Sequence, residues 1–258
     1  MTMKVLGFIP ARSGSKGVPD KNIKTIKRVP LLEFSVYAAV QAKNCGILDS
    51  VVVSTDAKHY LSIVDDYAIE KDYLRPRALA ADNSPTIDAI LDVLSWYEGQ
   101  HNKSFDAVMT LQPTSPFRTP KHIKDAIDLM IDKPMASCVA SICKLGDHHP
   151  LRIKRMSDSG QLRDFYDEYV EPEHSRRQDF RPDAYIRNGA VYLTTTKTLV
   201  NDRVIRGSWV AGMEMPQANS INVDEHLDYL IAKASLEYDG FRDDLSFFND
   251  LINKKGLK

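Results

Sequence analysis

The sequence predicts an α/β protein with a mainly parallel sheet covered on both faces, and two observations carry that reading. Apolar, β-branched runs alternate along the chain with segments whose apolar residues recur at helical spacing. The first of these runs, "MKVLG", opens straight into "FIPARSGSKGVPDKN" (Phe8 to Asn22), a loop rich in glycine, hydroxyls and positive charge. A loop at the carboxyl end of a strand faces the ligand crevice of an open α/β sheet. At 258 residues the chain can bury a large core and falls within the range of one such domain.

The elements follow in order. Beyond the basic loop, Leu32, Ser35, Val36, Ala39 and Val40 share one helical face, and "DSVVVST" is a strand ending at Asp56. Tyr60, Ile63, Val64 and Tyr67 mark a second helix. Pro85 stands near the start of a third, in which Ile87, Ile90, Leu91 and Leu94 keep the helical period. The strand "FDAVMTLQ" is broken by "TSPFRTP", after which Thr119 can cap and Pro120 can occupy the first position of a helix with Ile123, Ala126, Ile127, Met130 and Ile131 as its buried stripe. "ASCVASI" is the next strand. The alternation then stops: from Gly146 to Ala184 the sequence is polar and turn-rich, too long for a structureless connection inside a compact domain, so it reads as an inserted arm. "NGAVYLTT" resumes the sheet, and Leu227, Leu230, Ile231 and Ala234 mark a late helix. The predicted organisation is an α/β domain over 1–145 and 185–258 interrupted by the arm 146–184.

Composition removes several function classes. The chain has 34 basic and 35 acidic residues, a net charge of −1, and no broad basic field for nucleic acid or a membrane surface. No run reaches the roughly 18 apolar residues of a membrane span, and no charged segment followed by an apolar one opens the chain. Cys45, Cys138 and Cys143 are odd in number and lack a CxxC spacing, so they are expected to be buried thiols of a cytoplasmic protein. Positive charge is nevertheless concentrated locally. Arg12, Lys16, Lys21, Lys24, Lys27 and Arg28 face one acid, Asp20, in the first loop. Neither GxxxxGK[ST] nor GxGxxG fits there. What remains is a loop whose glycines turn backbone N–H groups toward an anion, with Ser13 and Ser15 as donors and Arg12, Lys16 and Lys21 as counter-charges; a solvated turn is the plainer alternative.

Read with four later blocks, "VVVSTD" (51–56), "RPRALAAD" (75–82), "LQPTSPFR" (111–118) and "RRQDF…YIRNGAVYL" (176–193), the loop resembles the acylneuraminate (nonulosonate) cytidylyltransferase family, the CMP-sialic acid synthetases. The five blocks stand in the family's order from Val5 to about Leu230. The related Kdo cytidylyltransferases have a differently composed first loop. The resemblance implies a three-layer Rossmann-like nucleotidyltransferase fold and transfer of CMP from CTP to the anomeric hydroxyl of a nine-carbon 2-keto sugar acid, with Mg2+ or Mn2+ and a homodimer built by the arm. It implies further that Arg12, Ser15, Lys16 and Lys21 hold the triphosphate with Asn22 near the nucleotide, and that Arg75, Ser84 and Thr86 read cytosine.

On the acceptor side the resemblance gives Gln112, Tyr185, Arg187 and Asn188 to the sugar, and brings Arg176, Arg177 or Arg181 to the neighbour's sugar site. Several of these residues have ordinary roles open to them. Ser84 or Thr86 can cap the helix around Pro85, Asp82 can favour its start, and Asp224 can cap the late helix. His148 and His149 read as surface residues of a polar loop. In the late block "INVDEHLD", Asp224 and Asp228 remain, but Asn222 stands where the family typically has the first of two acids. Metal binding therefore falls on Asp224 and the amide of Asn222, and catalysis on Arg12, Lys21 and Asp224. The alternative is a nucleotide-binding protein of the same fold whose acidic site has decayed. The arm's Phe165, Tyr166, Tyr169 and Phe180 are costly to expose together, which favours a covering partner.

Overall fold

Residues 5 to 9 read as one apolar run because the strand they form is buried on both faces. The computed structural model describes residues 3–14, 20–146, 148–168, 170–174 and 176–256. Strand β1 (Val5–Pro10) leads through the basic loop to a hairpin of β2 (Thr25–Ile26) and β3 (Val29–Pro30), then to α1 (Leu31–Asn44), β4 (Ser50–Ser54) and a short α2 (Lys58–Ile63). Next come α3 (Thr86–His101), β5 (Ala107–Thr110), α4 (Pro120–Asp132) and β6 (Cys138–Lys144). The inserted arm contributes β7 (Lys154–Met156) and β8 (Leu162–Asp164). The chain returns as β9 (Tyr185–Thr195) and continues through β10 (Val210–Glu214), α5 (His226–Ser235), α6 (Arg242–Leu245) and α7 (Asn249–Gly256).

Six strands form one sheet in the order β10-β6-β9-β5-β1-β4. Pairs β1/β4, β1/β5 and β10/β6 are parallel, while β9 runs antiparallel to both β5 and β6. The two sides of β1 enter different cores. Val5 and Ile9 pack with Leu32, Val36, Ile123 and Ala126 of α1 and α4, whereas Leu6 and Phe8 pack with Ala89, Ile90 and Val93 of α3. This is the three-layer arrangement expected. A third cluster, in which Phe34, Phe117 and Phe248 meet edge to face or tilted, joins the β2–β3 hairpin to α5 and the last helices.

The direction of β9 follows from the arm. Lys144 pairs with Tyr185 and the Leu145 N–H donates to the Ala184 carbonyl at 2.8 Å, so the chain leaves and re-enters the sheet at one point without a helical crossover. Inside the arm, β7 and β8 form a hairpin that three-residue strands are too short to announce as a pattern.

Four expectations are corrected. Helix α2 ends at Ile63 rather than running on to Tyr67, whose hydroxyl instead donates to Glu33 of α1 at 2.9 Å. Ile131 of α4 is exposed, and so are Leu227, Leu230 and Ile231 of α5, which packs through Tyr229 and Ala232 and leaves its apolar stripe outward. Cys138 is buried where β6 begins, but Cys45 is exposed at the end of α1 and Cys143 is half-buried, one residue before β6 ends at Lys144. Phe180 is buried within its own chain, against His149 and under the Arg152 guanidinium, while Phe165 and Tyr166 stay half-exposed; Tyr169 lies outside the described residues. Among the described residues no helix is long and apolar enough to cross a membrane.

Candidate active site

The carboxyl ends of β1 and β4 set the first half of the site. Each polar group leaving β1 meets an acid or carbonyl from elsewhere. Arg12 donates through Nη1 to Asp82 at 2.8 Å and to the Ala80 carbonyl at 3.3 Å. The Ser13 N–H and hydroxyl both bind Asp56, at 2.8 and 2.7 Å. Burial alone would raise the Asp56 carboxyl, but those two donors and nearby Arg75 outweigh it and hold the group below its usual range. Gly14 turns at φ +71, a conformation that suits glycine. Ser15 and Lys16 lie outside the described residues. Past them, Lys21 reaches Asp224 at 2.7 Å, and the buried Asn22 donates to the Arg12 carbonyl at 3.1 Å, fastening the loop's two ends together.

Arg75 is buried beneath this loop. Its Nε donates to the Ser54 hydroxyl at 2.9 Å and its Nη2 to the Ser54 carbonyl at 2.7 Å, so β4 holds the guanidinium; burial lowers its pKa. A cavity of about 710 Å3 opens beside it, lined by Ser13, Asp56, Ala57, Lys58, Arg75 and Arg77. Ser84 donates to the Ala78 carbonyl at 2.9 Å and closes the turn before α3. The cap position belongs to Pro85 with no side-chain cap, so neither Ser84 nor Thr86 serves as one. Asp82 is held by Arg12 instead of the helix start.

Thr86 lines a second cavity of about 550 Å3 together with Gln112, Arg187 and Tyr192. Its far wall is the loop Arg203 to Gly207, which sequence reasoning missed. That loop is anchored by the Arg203–Asp88 ion pair at 2.6 Å and by the Thr194 hydroxyl, which donates to the Ile205 carbonyl. A short, unpatterned stretch such as "RVIRG" carries no signal of its own; only its spatial return to α3 reveals it.

Asn188 and Tyr185 do not join Gln112 and Arg187. The four hydrogen-bonding capacities of Asn188 are used inside the protein: Nδ2 donates to Ser220 at 2.8 Å and to the Met215 sulfur at 3.5 Å, and Oδ1 accepts from Ser141 at 2.5 Å and from the Ala190 N–H at 3.2 Å. It is a buried tie between β9, β6 and the segment before α5. Tyr185 sits at the base of the arm opposite Lys144 and lines neither of these cavities. Between Asn188 and Ala190, Gly189 takes φ +73, and a Cβ there would meet Gln112 Oε1 at 3.2 Å and Ser115 Oγ at 3.3 Å.

The late block connects both halves. Asp224 touches Lys21 on one side and the Asn222 amide nitrogen on the other, while Asn222 Oδ1 accepts from Ser115 at 3.1 Å, in the loop that carries Gln112. The cap of α5 is Glu225, and Asp228 accepts from the Asp224 and Glu225 N–H groups at 2.9 and 2.8 Å, so Asp224 is not a cap and Asp228 is committed to the helix start. Asp224 is 60% exposed. Among the described residues no cluster of three or more His, Cys, Asp or Glu forms a metal cage. One exposed carboxylate fits a hard cation that takes few protein ligands and completes its shell with water and phosphate oxygens; Asn222 turns its nitrogen, not its oxygen, toward Asp224.

The arm bounds a third cavity, of about 880 Å3, between the end of β6 and the segment 217–231. His148 is exposed as expected, but His149 is buried, with Nε2 donating to the Pro182 carbonyl at 2.9 Å and Nδ1 accepting from the Leu151 N–H. Arg181 turns onto its own arm, donating to the Phe180 carbonyl at 2.7 Å, and Arg176 binds Asp179 through its backbone N–H at 3.2 Å. The side chain of Arg177 lies outside the described residues.

Residues 6–205 match a family model described as cytidylyltransferase. The chain is 29% identical over 233 residues to an N-acylneuraminate cytidylyltransferase of Escherichia coli O18:K1:H7, covering 90% of this chain and 52% of that relative. It is 31% identical over 239 residues to one of Streptococcus agalactiae serotype V, covering 92% and 54%. It therefore spans about half the length of these two. Against a CMP-N,N'-diacetyllegionaminic acid synthase of Legionella pneumophila the identity is 29% over 239 residues, covering 91% of this chain and 97% of the relative. Two solved structures share the fold. One is CMP:2-keto-3-deoxy-manno-octonic acid synthetase complexed with CTP, with a TM-score of 0.62 at 17% identity, over 91% of this chain and 98% of that one. The other is 4-diphosphocytidyl-2C-methyl-D-erythritol synthase of Anaerococcus prevotii, with a TM-score of 0.59 at 13% identity, over 92% and 99%.

Proposed function

The chain belongs to the cytidylyltransferase family, and from that premise we propose that it transfers CMP from CTP to the anomeric hydroxyl of a nine-carbon 2-keto sugar acid, a nonulosonic acid of the N-acylneuraminic or legionaminic and pseudaminic type. The anomeric oxygen attacks the α-phosphorus, the bond to pyrophosphate breaks, the hydroxyl proton is lost, and pyrophosphate leaves. The observation that carries the reading is the continuous contact Lys21–Asp224–Asn222–Ser115, which joins the basic loop to the loop of Gln112. It makes one site of a cationic half and a half that takes the acceptor.

In this reading Arg12, Ser15, Lys16 and Lys21 hold the triphosphate, Asn22 steadies the loop, and Arg75 reads the base beside the 710 Å3 cavity with Ser84 bracing the turn that carries Thr86. Phosphoryl-type transfer is chiefly positioning and charge stabilisation, which these cations supply. The acceptor occupies the 550 Å3 cavity, where Gln112 and Tyr192 offer hydrogen bonds, Arg187 meets the carboxylate, and Val204 and Ile205 supply apolar surface for acyl substituents. Mg2+ or Mn2+ would be held by Asp224 with phosphate oxygens of CTP, with the Asn222 amide beside it, and when bound would neutralise developing charge.

We further read the protein as a cytoplasmic homodimer. Apolar residues left outward on the arm (Met156, Leu162, Phe165, Tyr166, Val170) and on α5 support a self-complementary two-fold interface. Sedimentation at micromolar concentration tests that assembly, and a fully active monomer would end it. Asn222 in an otherwise acidic position favours the second reading, a decayed nucleotide binder. Pyrophosphate release from CTP and Mg2+ with N-acetylneuraminic, legionaminic, pseudaminic and Kdo acids separates these: release with a nine-carbon acid supports the transferase, with Kdo alone the Kdo type, and with none the decayed site.

A further inference from the structure

Arg118 heads the side chains that the fold buries completely, at 0% exposure. Its acceptors are all neutral. Nε donates to the Ala190 carbonyl at 2.7 Å, Nη1 to the Ser35 hydroxyl at 2.7 Å, and Nη2 to the Gln112 carbonyl. Burial, with no charged partner offsetting it, pushes its pKa down to about 9. A buried charge without an ionic partner is costly, and an apolar side chain of similar volume would fill the space without that cost.

What distinguishes the arginine is therefore its fork. The three acceptors belong to three separate elements: the loop after β5, strand β9 and helix α1. One of them borders the acceptor cavity, and a second lies on β9 between two residues that do, Arg187 and Tyr192. Gln112 lines the cavity, and Ala190 directly follows Gly189, where a Cβ would stand 3.2 Å from Gln112 Oε1. A planar guanidinium with divergent donors can fix these two segments at one separation, braced on α1; a point donor cannot.

We propose that Arg118 is a positioning residue of the acceptor site, clamping Gln112 and the segment Arg187 to Ala190 in register across α1. It touches no substrate and acts through Gln112 and Arg187. The inference rests on the reading that this cavity takes the acceptor sugar.

The test uses the full chain with Arg118→Lys, which keeps the charge, and Arg118→Met, which keeps the volume. Loss of positioning is expected to raise the acceptor KM at least about fivefold in Arg118→Met while the CTP KM moves less than about twofold, with Arg118→Lys recovering part of the loss. A purely structural role would lower Tm and the active fraction and leave both KM values alone; that result overturns the proposal. Should neither variant fold, Ser35→Ala removes one acceptor at little change in volume and is expected to raise the acceptor KM roughly two- to threefold; an unchanged value overturns the proposal equally. A wild-type protein that turns over no nine-carbon acid removes the functional reading and this inference with it, whereas an active wild type with unshifted variants defeats the inference alone.

Discussion

Replacing Gly189 by alanine perturbs the acceptor site from the backbone side. The residue sits at φ +73, where a Cβ costs roughly 1–2 kcal/mol. The new methyl would also stand 3.2 Å from Gln112 Oε1 and 3.3 Å from Ser115 Oγ, inside ordinary contact, so Gln112 must yield by a few tenths of an ångström. In a domain of this size each kcal/mol moves Tm by roughly 2–4 °C, which gives a drop of about 2–8 °C. If a misplacement of about 1 Å costs roughly a hundredfold, a shift of a third of that costs about fivefold, seen as a raised acceptor KM. Thermal melts and initial rates with each substrate varied in turn measure both effects. An alanine variant that melts with the wild type and keeps its acceptor KM would refute the argument that this glycine sets the cavity wall.

Arg12→Ala and Lys21→Ala are each expected to lower kcat/KM by at least about tenfold with the fold intact, since a charged hydrogen bond is worth about 1.5–3 kcal/mol; near-normal kinetics in both would make the basic loop a bystander. Activity is expected to vanish in excess chelator and return with Mg2+ or Mn2+, and Asp224→Ala to cost more than Asn222→Ala; full turnover in chelator is the contrary result. His122 of α4 accepts the Thr119 N–H at Nδ1 and is held neutral to about pH 4, chiefly by burial, aided by Lys121 and Arg118 and opposed by Asp125. Its folded pKa lies below the unfolded value, so its stabilisation is complete above about pH 6.5 and is lost as pH falls toward 4, by up to about 3 kcal/mol. Melts of His122→Asn against wild type should show a shallower acid slope, and identical slopes would remove the assignment.

Strands β1, β4, β5 and β6 were legible because burial on both faces writes an unbroken apolar run, and α3 and α4 because proline marks their starts. Direction is not written that way. The reversal of β9 depends on where the arm begins and ends, and residues as far apart as Lys144 and Tyr185 carry no local mark of their pairing. The stripe of Leu227, Leu230 and Ile231 identified a helix but not which side faces in. At the site, Arg12 and Lys21 stood out as charge in the loop that follows a strand, whereas Arg75 was marked only by the family resemblance. Asn188 looked equally polar, and only its four internal bonds show it to be a tie. Arg118 closes "LQPTSPFR", where nothing local separates a buried arginine from a surface one except its neighbour Phe117 and the capped helix that follows.

The closed base of the arm has a further consequence. Because the chain departs at Lys144 and returns at Tyr185 through a paired backbone, the sheet meets the whole excursion as it would meet a tight hairpin turn. Whatever lies between those residues is modular: length, surface and oligomeric habit can change there without moving β6 or β9 by one register step. The arm leaves β6 at the same carboxyl edge of the sheet that β1 and β4 present to the site, so such changes alter the surroundings of the chemistry while the strand register beneath it is inherited untouched.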